Sequence, residues 1–394
     1  MALRQIKPKV SEMNNAYIIF FFLVILHAEV KPQGHSFQWS GQASAWTGYQ
    51  ETKDVIVGAR YLPQINYKFE KESRLFDIEL SGNIYGSLLF YPPDSVATTA
   101  RLRPYRAWAR FTNDQLELRL GLQKINFGSA MMLRPLMWFD RLDARDPLKL
   151  TNGVWAALGR YYFLNNVNIW TWVVLPGKEL KTWEMYPSLK RLPELGLRSQ
   201  FPLWNGEIAL SFHHRWVDSL GGVGNKDAVS GFGEQRYGID GKWDAALGIW
   251  FEASLIHTNL PLSQPTNLQL ITIGADYTFK LGNGLQLTYE HLFSSFSAAP
   301  SSLNSLPAGF SAVSLNYPFS LFDRVQFYSY RDWDRQQQYF FANYQHQFNK
   351  ITLHLMAWAN PSTYLIPSQQ QDSNLYTGKG FQFMIVYNHA TSLK

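Results

Sequence analysis

From about Ser36 to the C-terminus the chain is a ladder of short segments in which apolar and polar residues alternate. Period-two alternation gives each segment one apolar face and one polar face, which is the patterning of strands and not of helices. No run of Pro, Gly, Ser or like charge divides the 394 residues, so the ladder reads as one domain.

The connections set the strand count. Tight turns rich in Asn, Asp and Gly stand at 71–73, 113–115, 165–166, 204–205, 243–244, 281–284, 320–323 and 349–350. Longer connections alternate with them near Glu51, Asp94, 130–149, 177–192, 219–233, 259–266, 298–309, Asp332 and 361–376. Eight short and nine long connections imply about 18 strands, with 16 also inside the error of the count.

Side-chain parity shows what the two faces meet. Ile271, Ile273, Ala275, Tyr277 and Phe279 share one face, against Thr272, Asp276 and Lys280 on the other. Past the turn at Gly284, Leu285, Leu287, Tyr289 and Phe293 oppose Gln286, Thr288 and Glu290. A soluble sandwich alternates in the same way, but it has no reason to collect rings at its turns. Here Phe69, Phe76, Phe111, Phe201, Trp204, Trp243, Phe279, Phe319 and Phe348 all lie at or beside the short turns, as a membrane-interface belt requires.

Aromatic residues make up 16% of the chain, and the mean hydropathy is slightly negative, too polar for a helical membrane bundle. The expected fold is therefore all-β: a single transmembrane antiparallel up-and-down β-barrel, with short turns and both termini on the periplasmic side. His291 breaks the pattern, since its parity points it at lipid.

Basic Arg4, Lys7 and Lys9 precede the apolar run Ala16 to Leu26 and the polar stretch HAEVKPQG, the three-part layout of a secretory signal. The run is too short to span a bilayer as a helix. Residues 1–33 are accordingly expected to be a signal peptide and short N-terminal segment, and 34–394 the outer-membrane barrel. Cleavage fits after Ala28, although Leu26 is bulky for its position. Sec-type export and the barrel-assembly machinery are the implied partners in biogenesis.

Cysteine is absent, which removes thiolate catalysis, disulfides and a lipoprotein anchor. The formal charge of +6 owes part to the leader and gives no warrant for nucleic-acid binding. The remaining catalytic material is His213, His214, Ser254 and Ser294. Neither G-x-S-x-G nor H-E-x-x-H is present, and adjacent histidines on a strand face opposite sides. No enzyme, metal site or cofactor is expected.

By parity the lumen receives Lys68, Arg106, Arg110, Arg119, Arg198, Arg215, Arg236, Lys242 and Lys280. It also receives Asp77, Glu79, Glu117, Glu194, Glu207, Asp240, Glu252, Asp276 and Glu290. The signs balance, so many of these charges are expected to pair across strands and brace the wall. The densest polar patch holds Arg106, Trp108, Arg110, Glu117, Arg119 and Gln123; with Arg198 and Arg215 it forms a candidate substrate track. Guanidinium forks suit carboxylates and phosphates, and an indole face suits sugars. A salt-bridged wall without ligand preference fits the same residues.

The connection at 129–149 is too apolar for water, with Met131, Met132, Leu133, Leu136, Met137, Trp138 and Phe139 in close succession. It should fold into the lumen as a constriction loop that also carries Arg134, Asp140, Arg141, Asp143, Arg145 and Asp146. A short helix would set the three aspartates near one face, where carboxylates can hold Ca²⁺. The spacing is not that of a calcium loop, so charge pairing with the interleaved arginines is expected instead.

Within residues 121–148, Gly121, Gln123, Ile125, Phe127, Gly128, Asp140, Asp146 and Pro147 form a pattern that resembles a signature of alginate-export-type outer-membrane porins. The match covers about one-tenth of the chain. The resemblance implies a passive channel for an anionic polysaccharide or another polar solute, with a loop as plug. An alginate pore is expected to be strongly electropositive, which the balanced lumen is not.

The expectation is thus a porin of a Gram-negative outer membrane, in contact with the lipid bilayer and passing small polar or anionic solutes, saccharides among them. The alternative is a non-conducting barrel whose loops, such as 182–186 and 364–376, bind a glycan or another partner. Substrate and oligomeric state stay open.

Overall fold

The computed structural model describes residues 34–51, 54–91, 95–177, 179–218, 231–259, 266–297, 309–362 and 376–393. The expected leader and most of the 364–376 loop lie outside them. The first nine strands are β1 (His35–Gln50), β2 (Asp54–Lys71), β3 (Arg74–Tyr91), β4 (Ser95–Thr112), β5 (Leu116–Gln123), β6 (Val154–Tyr162), β7 (Asn168–Val174), β8 (Glu194–Leu203) and β9 (Gly206–Asp218). The second nine are β10 (Gly231–Asp244), β11 (Gly248–Thr258), β12 (Asn267–Phe279), β13 (Leu285–Ser297), β14 (Phe310–Pro318), β15 (Asp323–Asp332), β16 (Gln337–Gln347), β17 (Ile351–Ala359) and β18 (Lys379–Leu393).

Each strand pairs antiparallel with the next, and β1 pairs with β18, so a single 18-stranded sheet closes on itself. Closure leaves no unpaired edge, which is the condition for strands to sit in hydrocarbon. The predicted periplasmic turns are built as their residues require. The Asn113 side chain accepts hydrogen bonds from the Gln115 and Leu116 amides at 3.0 and 2.7 Å, and Glu72, Asn166 and Trp204 adopt positive φ.

Parity holds around the wall. Leu120, Leu195, Leu197 and Leu355 are exposed on the outer face while Glu117, Glu194, Arg198 and His354 are buried inside. Phe76, Phe201, Trp204, Phe279, Phe319 and Phe348 are exposed at or beside the short turns, where the belt was expected.

Two expectations are corrected, and one conditional is settled. The connections near Glu51, Asp94 and Asp332 are as short as the tight turns: β1 to β4 run for 16 to 18 residues and use up the chain assigned to the first two, and Asp332 caps a turn at 333–336 by accepting the Asp334 and Arg335 amides. The interior is not polar all round: Tyr328, Tyr330, Tyr339, Phe341, Met356, Trp358 and Met384 form an apolar cluster against one side of it. The 129–149 loop contains no helix, only turns. Its aspartates therefore never share a helical face.

Candidate functional site

The long connection between β5 and β6 folds into the lumen and packs against opposite walls. Ile125, Phe127, Leu136, Trp138 and Phe139 pack with Leu158, Trp172 and Val174 of β6 and β7, while Met132 and Leu133 join the apolar cluster of β12 to β18. Apolar burial brings the loop in; two wall carboxyl groups fix where it stops. Glu290 accepts the Met131 amide at 2.6 Å on one oxygen and the Met132 and Leu133 amides at 2.9 and 2.7 Å on the other. Trp250 Nε1 donates a fourth bond to it at 3.1 Å. Glu252 accepts the Ala130 and Leu136 amides at 2.9 and 2.5 Å.

Both oxygens of each carboxyl group accept from the loop, so neither group can turn away without breaking a bond. At a net contribution of about 0.5–1.5 kcal/mol for each bond, the five loop amides together form a strong clamp. Gly128 makes the approach possible: its φ is +94°, and a Cβ there would fall 2.4 Å from Glu252 Oε2. On the loop's other flank, Trp138 Nε1 donates to Ser254 Oγ at 3.1 Å and Thr272 Oγ1 donates to the Leu133 carbonyl at 2.7 Å.

A second connection, between β7 and β8, lies over the first. Thr182 Oγ1 donates to the Asp140 carbonyl at 2.8 Å, and Trp183 Nε1 donates to the Arg134 carbonyl at 2.9 Å. Its underside is anchored by a buried ion network of Lys181, Glu184 and Glu194 with Arg215, Glu234 and Arg236 of the wall. Burial alone would raise the Glu184 carboxyl, but Lys181, Arg215 and Arg236 outweigh it and hold the group below its ordinary value.

Between the loops and β1 to β4 lies a cleft of about 670 Å³. Arg60, Arg101 and Arg103 line its wall side, and Asp143, Asp146 and Glu179 its loop side. Arg103 reaches across to Glu179 at 2.7 Å, an ion pair half exposed at both ends. Arg60 stacks over Tyr85 at 5.0 Å. Basic groups on the wall thus face a loop side that is mainly acidic, with Arg141 the one basic group on it.

The site resolves the sequence candidates into two groups. Trp108, Arg110, Glu117 and Arg119 stay together on the β4–β5 wall: Arg110 pairs with Asp77 at 2.7 Å, Arg119 with Glu117 at 2.9 Å, and both arginines flank the Trp108 ring. Arg106 is buried and donates to the Thr151 carbonyl at 2.9 Å, tying down the end of the loop. Gln123 is enclosed, donating to the Ala156 carbonyl at 2.9 Å. Arg198 is enclosed with Asp240 at 2.5 and 2.9 Å, and Arg215 with Glu234 at 2.6 and 2.8 Å. The expected bracing of the wall by ion pairs is present.

Within the loop, Asp143 pairs with its neighbour Arg145 at 2.6 Å, but Asp140 pairs with Arg134 at 3.6 Å and with Asn126, while Asp146 accepts its own turn's amides at Leu148 and Leu150. Arg145 also lies 4.9 Å from the Tyr376 ring, and Arg141 lines the cleft. Met131 is partly exposed, while Arg134 and Trp138 are buried in the plug. His213 is held between Trp172 Nε1 at 3.1 Å and Glu194 at 3.2 Å, and Ser254 is taken by Trp138, so neither forms a nucleophile and base pair with the other.

No family model and no curated protein matches the chain, so the alginate-export resemblance gains no support from either comparison. Solved structures do match. OpdQ of Pseudomonas aeruginosa superposes with a TM-score of 0.53 at 8% identity, covering 93% of this chain and 100% of its own. OccAB1 of Acinetobacter baumannii gives 0.53 at 12% identity, covering 93% and 99%. A mutant of Rh. blastica porin gives 0.46 at 11% identity, covering 90% and 100%. What this chain shares with OpdQ and OccAB1 is the fold.

Sequence parity overlooked Arg101 and Arg103 because the β3–β4 register shifts between Ser81 and Gly82. Arg106 faces Ser81, and beyond the irregularity Arg103 faces Asn83, so the inward parity of β4 passes from even to odd numbers. Nothing in the local pattern marks that extra residue, save Pro104, which cannot donate to a ladder. Arg60 shares the inward parity of Lys68 and was open to the same reasoning.

Proposed function

We propose that this protein is a passive channel of a Gram-negative outer membrane, conducting small polar or anionic solutes through a lumen narrowed by two inward-folded loops. One observation carries the reading: a polar cleft beside the clamped loop, with Arg60, Arg101 and Arg103 on the wall and Asp143 and Asp146 opposite. A charged solute crossing such a gap meets attraction on one side and exclusion on the other, which screens by charge and size without a tight binding step. From the cleft the arginine side continues along β4 to Trp108, Arg110 and Arg119, which extend the track toward the periplasm. Residues 1–33 comprise an export signal cleaved after Ala28 and a short N-terminal segment, and the barrel-assembly machinery inserts the chain. No reaction is assigned.

Reconstitution in planar bilayers tests the proposal. Stepwise ion currents are expected, and deletion of residues 131–145 should enlarge each step. A panel of sugars, polyuronates and inorganic ions then ranks the cargo, and the polyuronate arm tests the alginate-type resemblance directly. The second reading, a non-conducting barrel, draws on the apolar cluster that fills one side of the interior, and silence in the bilayer would establish it.

A further inference from the structure

The residue that spoils the lipid face, His291, is one of a row. His291, Ser311, Arg331 and Gln338 occupy directly facing positions on β13, β14, β15 and β16. Their sequence neighbours Leu292, Ala312, Tyr330 and Tyr339 are buried in the lumen, so the row looks outward. Ser311 Oγ sits between His291 Nδ1 at 2.8 Å and Trp333 Nε1 at 2.9 Å. Arg331 donates to the Gln336 side chain at 2.5 Å and lies 5.5 Å from the Trp333 ring. Among the described residues no carboxyl group pairs with it, since Asp332 turns inward and binds Arg335 at 3.2 Å.

Height decides what can reach the row. Eight residues separate Phe319, at the periplasmic rim, from Ser311, about 27 Å along a strand and roughly 20 Å along the membrane normal at a tilt near 40°. The apolar band of such barrels is about 25 Å tall, so the row lies at its outer edge. A guanidinium there needs an anion, and Trp333 is the ring type that sits at headgroup level.

We propose that this row binds the phosphate of an outer-leaflet lipid headgroup. The Arg331 fork matches two phosphate oxygens, with Gln338 facing it on β16 and His291 two strands away on β13 in the same row. A second copy of this chain is the poorer occupant, because a two-fold pairing through the row would bring two unpaired Arg331 side chains together. The inference rests on the outer-membrane reading above, not on conduction.

Native mass spectrometry of the full chain in detergent, with lipid A or its dephosphorylated form added, reads the binding directly. Retention of the phosphorylated lipid is expected to fall by about tenfold in Arg331→Gln, to survive largely in Arg331→Lys, and to weaken less in His291→Phe. The dephosphorylated lipid should bind all four proteins alike. Equal retention of lipid A by wild type and Arg331→Gln would overturn the proposal, as would a wild-type oligomer that Arg331→Gln converts to monomer. Single-channel current recorded on Arg331→Gln should match wild type, so that a failed lipid site is distinguishable from a failed channel.

Discussion

The two long sides of the lumen use charge in opposite ways. On β11 and β13, Glu252 and Glu290 are fully enclosed, and both oxygens of each accept from loop amides, with an indole added at Glu290. On β2 and β4, Arg60, Arg101 and Arg103 face an open cleft, and among the described residues Arg103 alone of the three forms an ion pair, with Glu179, itself half exposed. Enclosed acidic groups serve architecture, because taking them from water costs too much unless they are hydrogen-bonded. Exposed charge retains its field and its freedom to meet a solute. The difference teaches that charge lists alone say little about selectivity; burial sorts them.

The contrast is most directly broken at the clamp. Glu290→Leu leaves three loop amides and one indole without an acceptor, at about 1–3 kcal/mol for each buried donor left unpaired. Limited proteolysis within the loop should accelerate by tenfold or more and unit conductance should rise several-fold, both by order of magnitude. Unchanged cleavage and current would mean that apolar packing alone seats the loop.

On the opposite wall, Arg101→Glu with Arg103→Glu should leave proteolysis as in wild type. The reversal potential under a salt gradient should instead shift toward cations, with the permeability ratio changing by about threefold or more. If the variant keeps wild-type selectivity, the cleft is not the filter.

Gly128→Ala sharpens the comparison at smaller scale. Its added methyl meets Glu252 at a positive φ, so the thermal midpoint should drop by an amount reflecting about 1–3 kcal/mol of strain. A glycine in an open turn such as Gly284 should tolerate the same change of size better, its nearest neighbour being 3.3 Å from an added Cβ.

The smallest effect concerns pH. Burial holds the Asp140 carboxyl above its ordinary value, against the pull of Arg134 and Lys124. A carboxyl raised on folding adds stability below its unfolded pKa, and that contribution fades as pH climbs through the raised value. Protection of the loop from protease should therefore be modestly greater near about pH 4 than near pH 7, and Asp140→Asn should flatten that difference. A variant whose protection still varies with pH to the wild-type extent would assign the dependence to another group.

Much of this molecule was legible in its sequence. Tight turns such as Asn113 to Gln115 and Leu281 to Gly284 carry their own instructions, and alternation around them gave a count of about 18 strands and an inward set that missed Arg101 and Arg103. The apolar run from Met131 to Phe139 foretold a loop that must be covered. The second loop reads in the sequence as a long connection whose residues 182–186 could meet a glycan, and its inward fold is missed because Lys181, Thr182 and Trp183 look like any polar surface until Glu194 and Asp140 are placed beside them.

Period-two chemistry and turn residues are local, so the chain alone determined an all-β barrel, its parity and one loop that could not stay in water. Which wall stops that loop, which arginines remain open and which polar residues line up on the lipid side depend on register across 18 strands. Only the closed sheet decided them, because neighbours such as Glu290 and Met131, or Ser311 and Arg331, meet through pairing between distant segments and leave no trace in either segment read by itself.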